Sequence, residues 1–222
     1  MADEANVDPG SFGAARDAAE PGRRRAETAP RAGERVRAAA RELFYRRGIR
    51  AVGVDEIVAK AGVTKPSLYR GFASKDALAV ACLEDFDAAF HARLDAGLAA
   101  HPGDLRAGLL AFLTGLGERT ARPDYRGCGL SNALVEHPEP DHPARLTALA
   151  HKRGVRARLT GISAGLGARD PEALGDGLLL LIEGTFTSGQ IFGAGGPARA
   201  LAAAASALIA AATAPGPAVG DG

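Results

Sequence analysis

The sequence predicts an all-α protein, with a small basic head of three helices followed by a longer helical body. Three observations carry this expectation. Beyond residue 32, apolar side chains recur at helical rather than strand spacing. Glycine, proline and capping Ser, Thr or Asp fall between the periodic stretches, where helices start and stop. No stretch shows the period-two alternation of a half-buried strand.

The elements follow in order. Residues 1–30 are rich in Ala, Gly, Pro and charge, without a sustained apolar period, and read as a disordered tail ending near Arg23, Arg24 and Arg25. From Gly33, Val36, Ala40, Leu43 and Phe44 form the stripe of a first helix, and Gly48 stops it. A second helix spans about Val54–Ala61. Gly62 supplies the tight turn after it. Thr64 is placed to cap a third helix, Lys65 to about Arg70, whose first turn tolerates Pro66. Ser74 caps a long fourth helix, Lys75 towards Ala99. Further helices are expected near Asp104–Arg119, Tyr125–Glu136, Ala144–Leu166, Glu172–Phe192 and Ala198–Thr213, the proline-dense stretch from His137 to Pro143 breaking the series. The organisation is thus a tail (1–30), a helix-turn-helix domain (31–78), a helical domain (79–214) and a second disordered tail (215–222).

Charge sharpens this division. The formal net charge is only +1, but residues 23–75 carry a net +9, flanked by −4 on either side. A concentrated basic segment is the footprint of a surface that meets phosphates. The stretch VDEIVAKAGVTKPSLYRGFASKDAL, residues 54–78, lies within it. Two short helices joined by a glycine turn form the unit that offers its second helix to a major groove. Ile57, Ala61, Val63, Leu68 and Phe72 are expected to pack the core that sets the interhelix angle. Thr64, Lys65, Ser67, Tyr69 and Arg70 remain to donate hydrogen bonds or carry charge, and Pro66 to touch a thymine methyl.

At these positions the chain resembles the DNA-binding domain of TetR/AcrR-type regulators. The matching residues are Ile57-Val58, Ala61-Gly62-Val63-Thr64, Leu68-Tyr69, Phe72, Lys75 and Leu78, preceded by Ala40, Leu43-Phe44 and Gly48. The resemblance implies that Thr64, Lys65, Pro66 and Ser67 face bases or adjoining phosphates. It also implies phosphate contacts for Tyr69 and for Lys75 at a helix N-terminus. Gly53 and Gly71 stand where the family commonly has a threonine and a histidine or tyrosine, which shifts weight to Arg50, Arg70 and the Arg23–Arg25 arm.

The resemblance further implies nine helices and a homodimer through the last two (about 172–192 and 198–213). The double-stranded operator would be palindromic, and a small-molecule effector would sit inside helices four to eight. Leu178–Ile182 is apolar on every side, Gly184, Thr185, Ser188 and Gly189 are small, and Leu201, Ala205, Leu208 and Ala212 form a stripe. Candidate effector contacts are Phe86, Phe90, Phe112, Leu116, Cys128, Asn132, Glu183, Phe186 and Gln190, the polar ones because buried polar groups require partners. Ligand binding is expected to tilt the fourth helix and respace the two recognition helices, giving a repressor released by its effector. Cys128, in Arg126-Gly127-Cys128-Gly129, is expected to pack beside the ligand; whether it senses oxidants or electrophiles stays open at this level.

Other classes find no support. His137, Asp141 and His142 sit in a proline-dense loop without metal-ligand geometry. No phosphate-cradling glycine loop, nucleophile elbow or paired zinc cysteines appear, so neither catalysis, cofactor nor metal is expected. A DNA-binding module acting architecturally differs only in lacking a ligand cavity. Two cysteines, no secretory signal and no apolar run of membrane-spanning length predict a soluble cytoplasmic protein.

Overall fold

The computed structural model describes residues 31–215; the expectations for the two tails, including the Arg23–Arg25 arm, lie outside them apart from Pro215. The described residues contain nine α-helices, three short 3-10 turns and no strand. The helices are α1 (Ala32–Arg47), α2 (Val54–Ala61), α3 (Lys65–Gly71), α4 (Lys75–Ala99), α5 (Leu105–Glu118), α6 (Gly129–Glu136), α7 (Pro143–Gly165), α8 (Pro171–Phe192) and α9 (Leu201–Thr213).

Local chemistry explains the helix ends. Asp104 and Asp170 accept the N–H of Ala107 and Ala173, while Ser74 accepts that of Ala77, each cap satisfying an orphan first-turn donor. Gly62 closes α2 in the left-handed region (φ 63°), where a Cβ would be strained, and the chain turns directly into α3. Thr64 occupies the cap position of α3, but its side chain caps nothing. Pro66 has no N–H, and the Ser67 N–H is already taken by the Thr64 carbonyl at 3.0 Å. The Thr64 hydroxyl lies instead 3.1 Å from that of Ser67.

Packing then assembles the whole. Val36 and Ala40 from α1, Ile57 from α2 and Leu68 from α3 are fully buried, and Val63 and Phe72 pack partly buried against them. The long α4 joins α1 at one end to α5, α6 and α7 at the other, and α8 lies along α7 with α9 beside it. A Cβ on Gly108 would stand 2.8 Å from Leu98 Cα, so only glycine allows α5 this close to the end of α4.

Three expectations need correction. Helix α6 begins at Gly129, four residues later than the expected Tyr125, because Gly127 turns the chain at φ 72°. Helix α9 begins at Leu201 after a 3-10 turn over Pro197–Ala200 that starts the bend at proline. The stripe Leu201, Ala205, Leu208 and Ala212 faces its own body: Leu201 is 3% exposed and Ala205 0%, while Leu208 and Ala212 are half-buried against the core. Thr185 and Gly189 are buried likewise. The large apolar residues left outside on α8 are Leu180, Ile191 and Phe192, and exposed Gly184 and Thr187 lie between Leu180 and Ile191 on the same face.

Candidate functional site

The short α3 leaves five of its seven residues exposed. A seven-residue helix has no stability of its own, so α1 and α2 hold it through the buried Leu68. Its opposite side carries the expected set. Thr64, Lys65, Pro66, Tyr69 and Arg70 are exposed and Ser67 is half-buried. They form two rows. Along one edge the Ser67 hydroxyl accepts from Arg70 at 2.7 Å and lies beside Thr64. Along the other, Lys65 pairs with Asp55 at 2.7 Å one turn from Tyr69, and that carboxylate holds the ammonium above its usual range. Lys75, half-buried at the start of α4, reaches the Arg50 carbonyl at 3.5 Å. Gly53 caps α2 without a side chain, so Arg50 is the nearest cation before that helix.

Two ties join this head to the body. On α1, the Tyr45 hydroxyl donates to the Gly127 carbonyl (3.1 Å) and accepts the Arg126 N–H (2.9 Å). At the end of α6, one Glu136 carboxylate oxygen accepts the N–H groups of Ile49 (2.6 Å) and Arg50 (3.1 Å), and Arg50 returns a bond to the Glu136 carbonyl (2.9 Å). The segment 126–136 is therefore fastened to the head at both ends.

Beside the Tyr45 tie lies a cavity of about 140 Å³. The structure brings together Phe86, Phe90, Leu116, Cys128 and Phe186 of the expected contacts around it. It places the others elsewhere. Phe112 stacks edge-on against Phe90 in the core, ring centroids 5.3 Å apart. Asn132 donates to the Arg126 carbonyl at 2.9 Å, holding the turn before α6. Glu183 pairs with Lys152 at 2.6 Å and accepts from Ser131, and Gln190 is exposed beside Gly127. Sequence reasoning missed the polar rim: Tyr45 from α1, Arg93 from α4, Arg119 and Arg122 around the 3-10 turn after α5, then Asp124 and Tyr125. The clustered Arg119 and Arg122 beside Pro123 were the available signal. Burial raises both tyrosine hydroxyls.

Two further groups adjoin the cavity. Lys152 donates to the Cys128 sulfur at 3.6 Å. Asp87 joins His151 Nδ1 (2.6 Å) and His91 Nε2 (3.3 Å), while Arg158 faces His91 Nδ1 (3.2 Å). Both His91 nitrogens are thus committed, and a guanidinium occupies the approach, so this trio reads as a hydrogen-bonded core network. Burial holds His151 below the usual histidine range, with Asp87 partly opposing. The folded state therefore binds this proton less readily than the unfolded one. Its stabilisation is complete above about pH 6.5, the unfolded value, and is lost as pH falls through the folded value. Melting temperature is expected to fall between pH 7.5 and 5, and to fall less in His151→Gln. An equal fall in both proteins would assign the pH dependence to other groups.

This arrangement defines a helix-turn-helix protein with a cavity-bearing helical body. Residues 36–82 match the family described as "Bacterial regulatory proteins, tetR family". The chain is 38% identical over 79 residues to the HTH-type transcriptional repressor NemR of Escherichia coli K12, covering 36% of this chain and 40% of NemR. It is 46% identical over 65 residues to the HTH-type transcriptional activator FasR of Mycolicibacterium smegmatis, covering 28% and 30% respectively. These matches span less than half the length of either relative. A crystal structure of a TetR-family transcriptional regulator from Streptomyces coelicolor is similar over 83% of this chain and 97% of that one, with a TM-score of 0.79 and 29% identity. Residues 36–82 thus match a DNA-binding domain of the tetR type, and the described helices share the fold of a TetR-family transcriptional regulator.

Proposed function

We propose that the protein is a homodimeric transcription repressor of the cytoplasm, with residues 31–78 reading a palindromic operator and residues 79–214 binding a small-molecule effector. The observation that carries this reading is the pairing of a free polar edge on α3 with a cavity wall that includes a residue of the head. Lys65, Thr64, Pro66, Ser67, Tyr69 and Arg70 stand outward, and Lys75 adds a cation at the N-terminus of α4. Tyr45 belongs both to α1 and to the cavity lining.

Ligand entering the cavity displaces the 126–136 segment or α4, and the ties at Tyr45 and Glu136 carry that displacement into the head. A coupling of ~1–3 kcal/mol changes operator affinity ~5–150-fold, enough for induction without unfolding. Twofold symmetry supplies the second reading head, and recognition helices must meet grooves ~34–36 Å apart or a multiple of that spacing. On α8, Leu180 is 73% exposed and Ile191 66%, with Gly184 and Thr187 between them permitting close approach of a second copy. The outward face of α9 is alanine throughout at 203, 207 and 210.

The test is selection of bound duplexes from a random library by the purified protein. An inverted repeat is expected, with log affinity falling against log salt by ~0.9 per phosphate neutralised. Recovery of no preferred sequence, or a flat salt response, overturns the reading.

A further inference from the structure

We propose that the cavity is built for an anionic single-ring ligand, an aromatic carboxylate or phosphate, whose charged head is held by Arg93, Arg119 and Arg122 and whose ring lies among Phe86, Phe90 and Phe186. The inference rests on the regulator reading and names the chemical class of its effector.

Size sets the first limit. A cavity of about 140 Å³ is close to the ~150 Å³ apolar cavity that holds benzene. One ring fits; a long acyl chain or a polycyclic drug does not. Shape sets the second. Phe90 meets His151 and Phe112 edge-on, with ring centroids 5.3 Å apart in both cases, so its position is fixed before a ligand arrives. Aromatic walls favour a flat, apolar guest.

Charge decides the rest. Three guanidinium groups gather at one rim, and none of them makes an ion pair among the described residues. Other arginines find partners: Arg37 pairs with Asp85, Arg156 with Asp176 and Arg158 with Asp95, while Arg106, Arg145 and Arg169 donate to carbonyl oxygens. Arg93 is half-buried and its Nε is enclosed without any hydrogen-bond partner. Burial, then its neighbours Arg119 and Arg122, disfavours its charge. A charge so placed needs a counter-ion, and its absence from the protein is a standing cost that a ligand anion removes. Asp124, the carboxylate in the lining, is 59% exposed and lies 3.8 Å from Arg46. The Tyr125 hydroxyl, also buried and unpartnered, offers one more donor. The same three arginines line the outer grooves against α1 and α5, so they stand at the mouth, where they attract an anion from solvent before its ring enters. Guanidinium forks suit the bidentate oxygens of carboxylate and phosphate alike.

The experiment uses the full-length protein. Benzoate, phenyl phosphate, the neutral isostere benzamide and inorganic phosphate are titrated by calorimetry, with thermal shift in parallel. Benzoate or phenyl phosphate is expected to bind at least tenfold more tightly than benzamide and inorganic phosphate. The preferred member of the pair identifies the head group. Arg119→Gln is expected to reduce that binding at least tenfold, and Arg122→Gln, at an exposed position that tolerates change, to reduce it measurably. Benzamide binding as well as benzoate, inorganic phosphate binding as well as phenyl phosphate, no binding by either aromatic anion, or unchanged binding in both variants overturns the proposal. An operator-release assay separates the two readings. Anion binding without a change in operator affinity leaves the site standing and removes its role as effector site. Specific operator binding with no anion response sinks the site alone.

Discussion

Lys65→Glu is expected to lower operator affinity by about ten- to a hundredfold while leaving the melting temperature unchanged. Lys65 lies at the first position of α3, exposed, with its ammonium against Asp55 at the start of α2. That pair is open to solvent on both sides, so losing it costs the fold little. On the duplex the same ammonium is proposed to face a phosphate or a base edge, where glutamate would set a like charge against it. The Asp55 carboxylate competes with DNA for this lysine, so Asp55→Asn is expected to raise affinity. Fluorescence anisotropy across a set of operator variants also separates two roles. A uniform loss in Lys65→Glu, with a salt slope lower by about one, marks a phosphate contact. A loss concentrated at one base pair marks base reading. Unchanged affinity in Lys65→Glu would remove α3 from the interface.

Leu68→Ala is expected to abolish operator binding by the opposite route. Leu68 is fully buried and is the buried residue of α3. Truncating a core leucine costs about 2–5 kcal/mol, a large part of the 5–15 kcal/mol that holds a typical domain. Helix α3 has seven residues and cannot persist once its anchor is gone. Thermal unfolding should show the loss directly, and limited proteolysis should open first between residues 62 and 74. A variant that melts like the parent and still binds its operator would mean that α3 is positioned by something other than this contact. The comparison with Lys65→Glu is informative because the two residues are three positions apart on one helix. One serves the surface and the other the core.

The outward residues of α3 were legible because they lie on one short helix that follows the Gly62 turn and carries Pro66 in its first turn. Periodicity and end signals suffice there. The same logic found α2 and α4 at their observed limits, Val54–Ala61 and Lys75–Ala99. It failed at residues 125–128, where apolar and polar residues are spaced plausibly for a helix. The Tyr45 hydroxyl from α1 instead holds the Arg126 N–H and the Gly127 carbonyl in a turn. Asn132, Glu183 and Gln190 were singled out as polar residues in need of partners. Asn132 found its partner in a nearby carbonyl, and Glu183 in Lys152 and Ser131.

By itself the sequence determined the helical class, the order of the nine helices, the basic head and the polar edge of α3. All of these depend on residues within a few turns of one another, where 3.6-residue periodicity and capping chemistry act. Tertiary structure alone decided that Arg93, Arg119 and Arg122 share a rim, that Tyr45 and Glu136 clamp one segment, and that the stripe on α9 points inward. Those groups are separated by tens of residues along the chain, and only the packing angles of the helices bring their side chains within bonding distance.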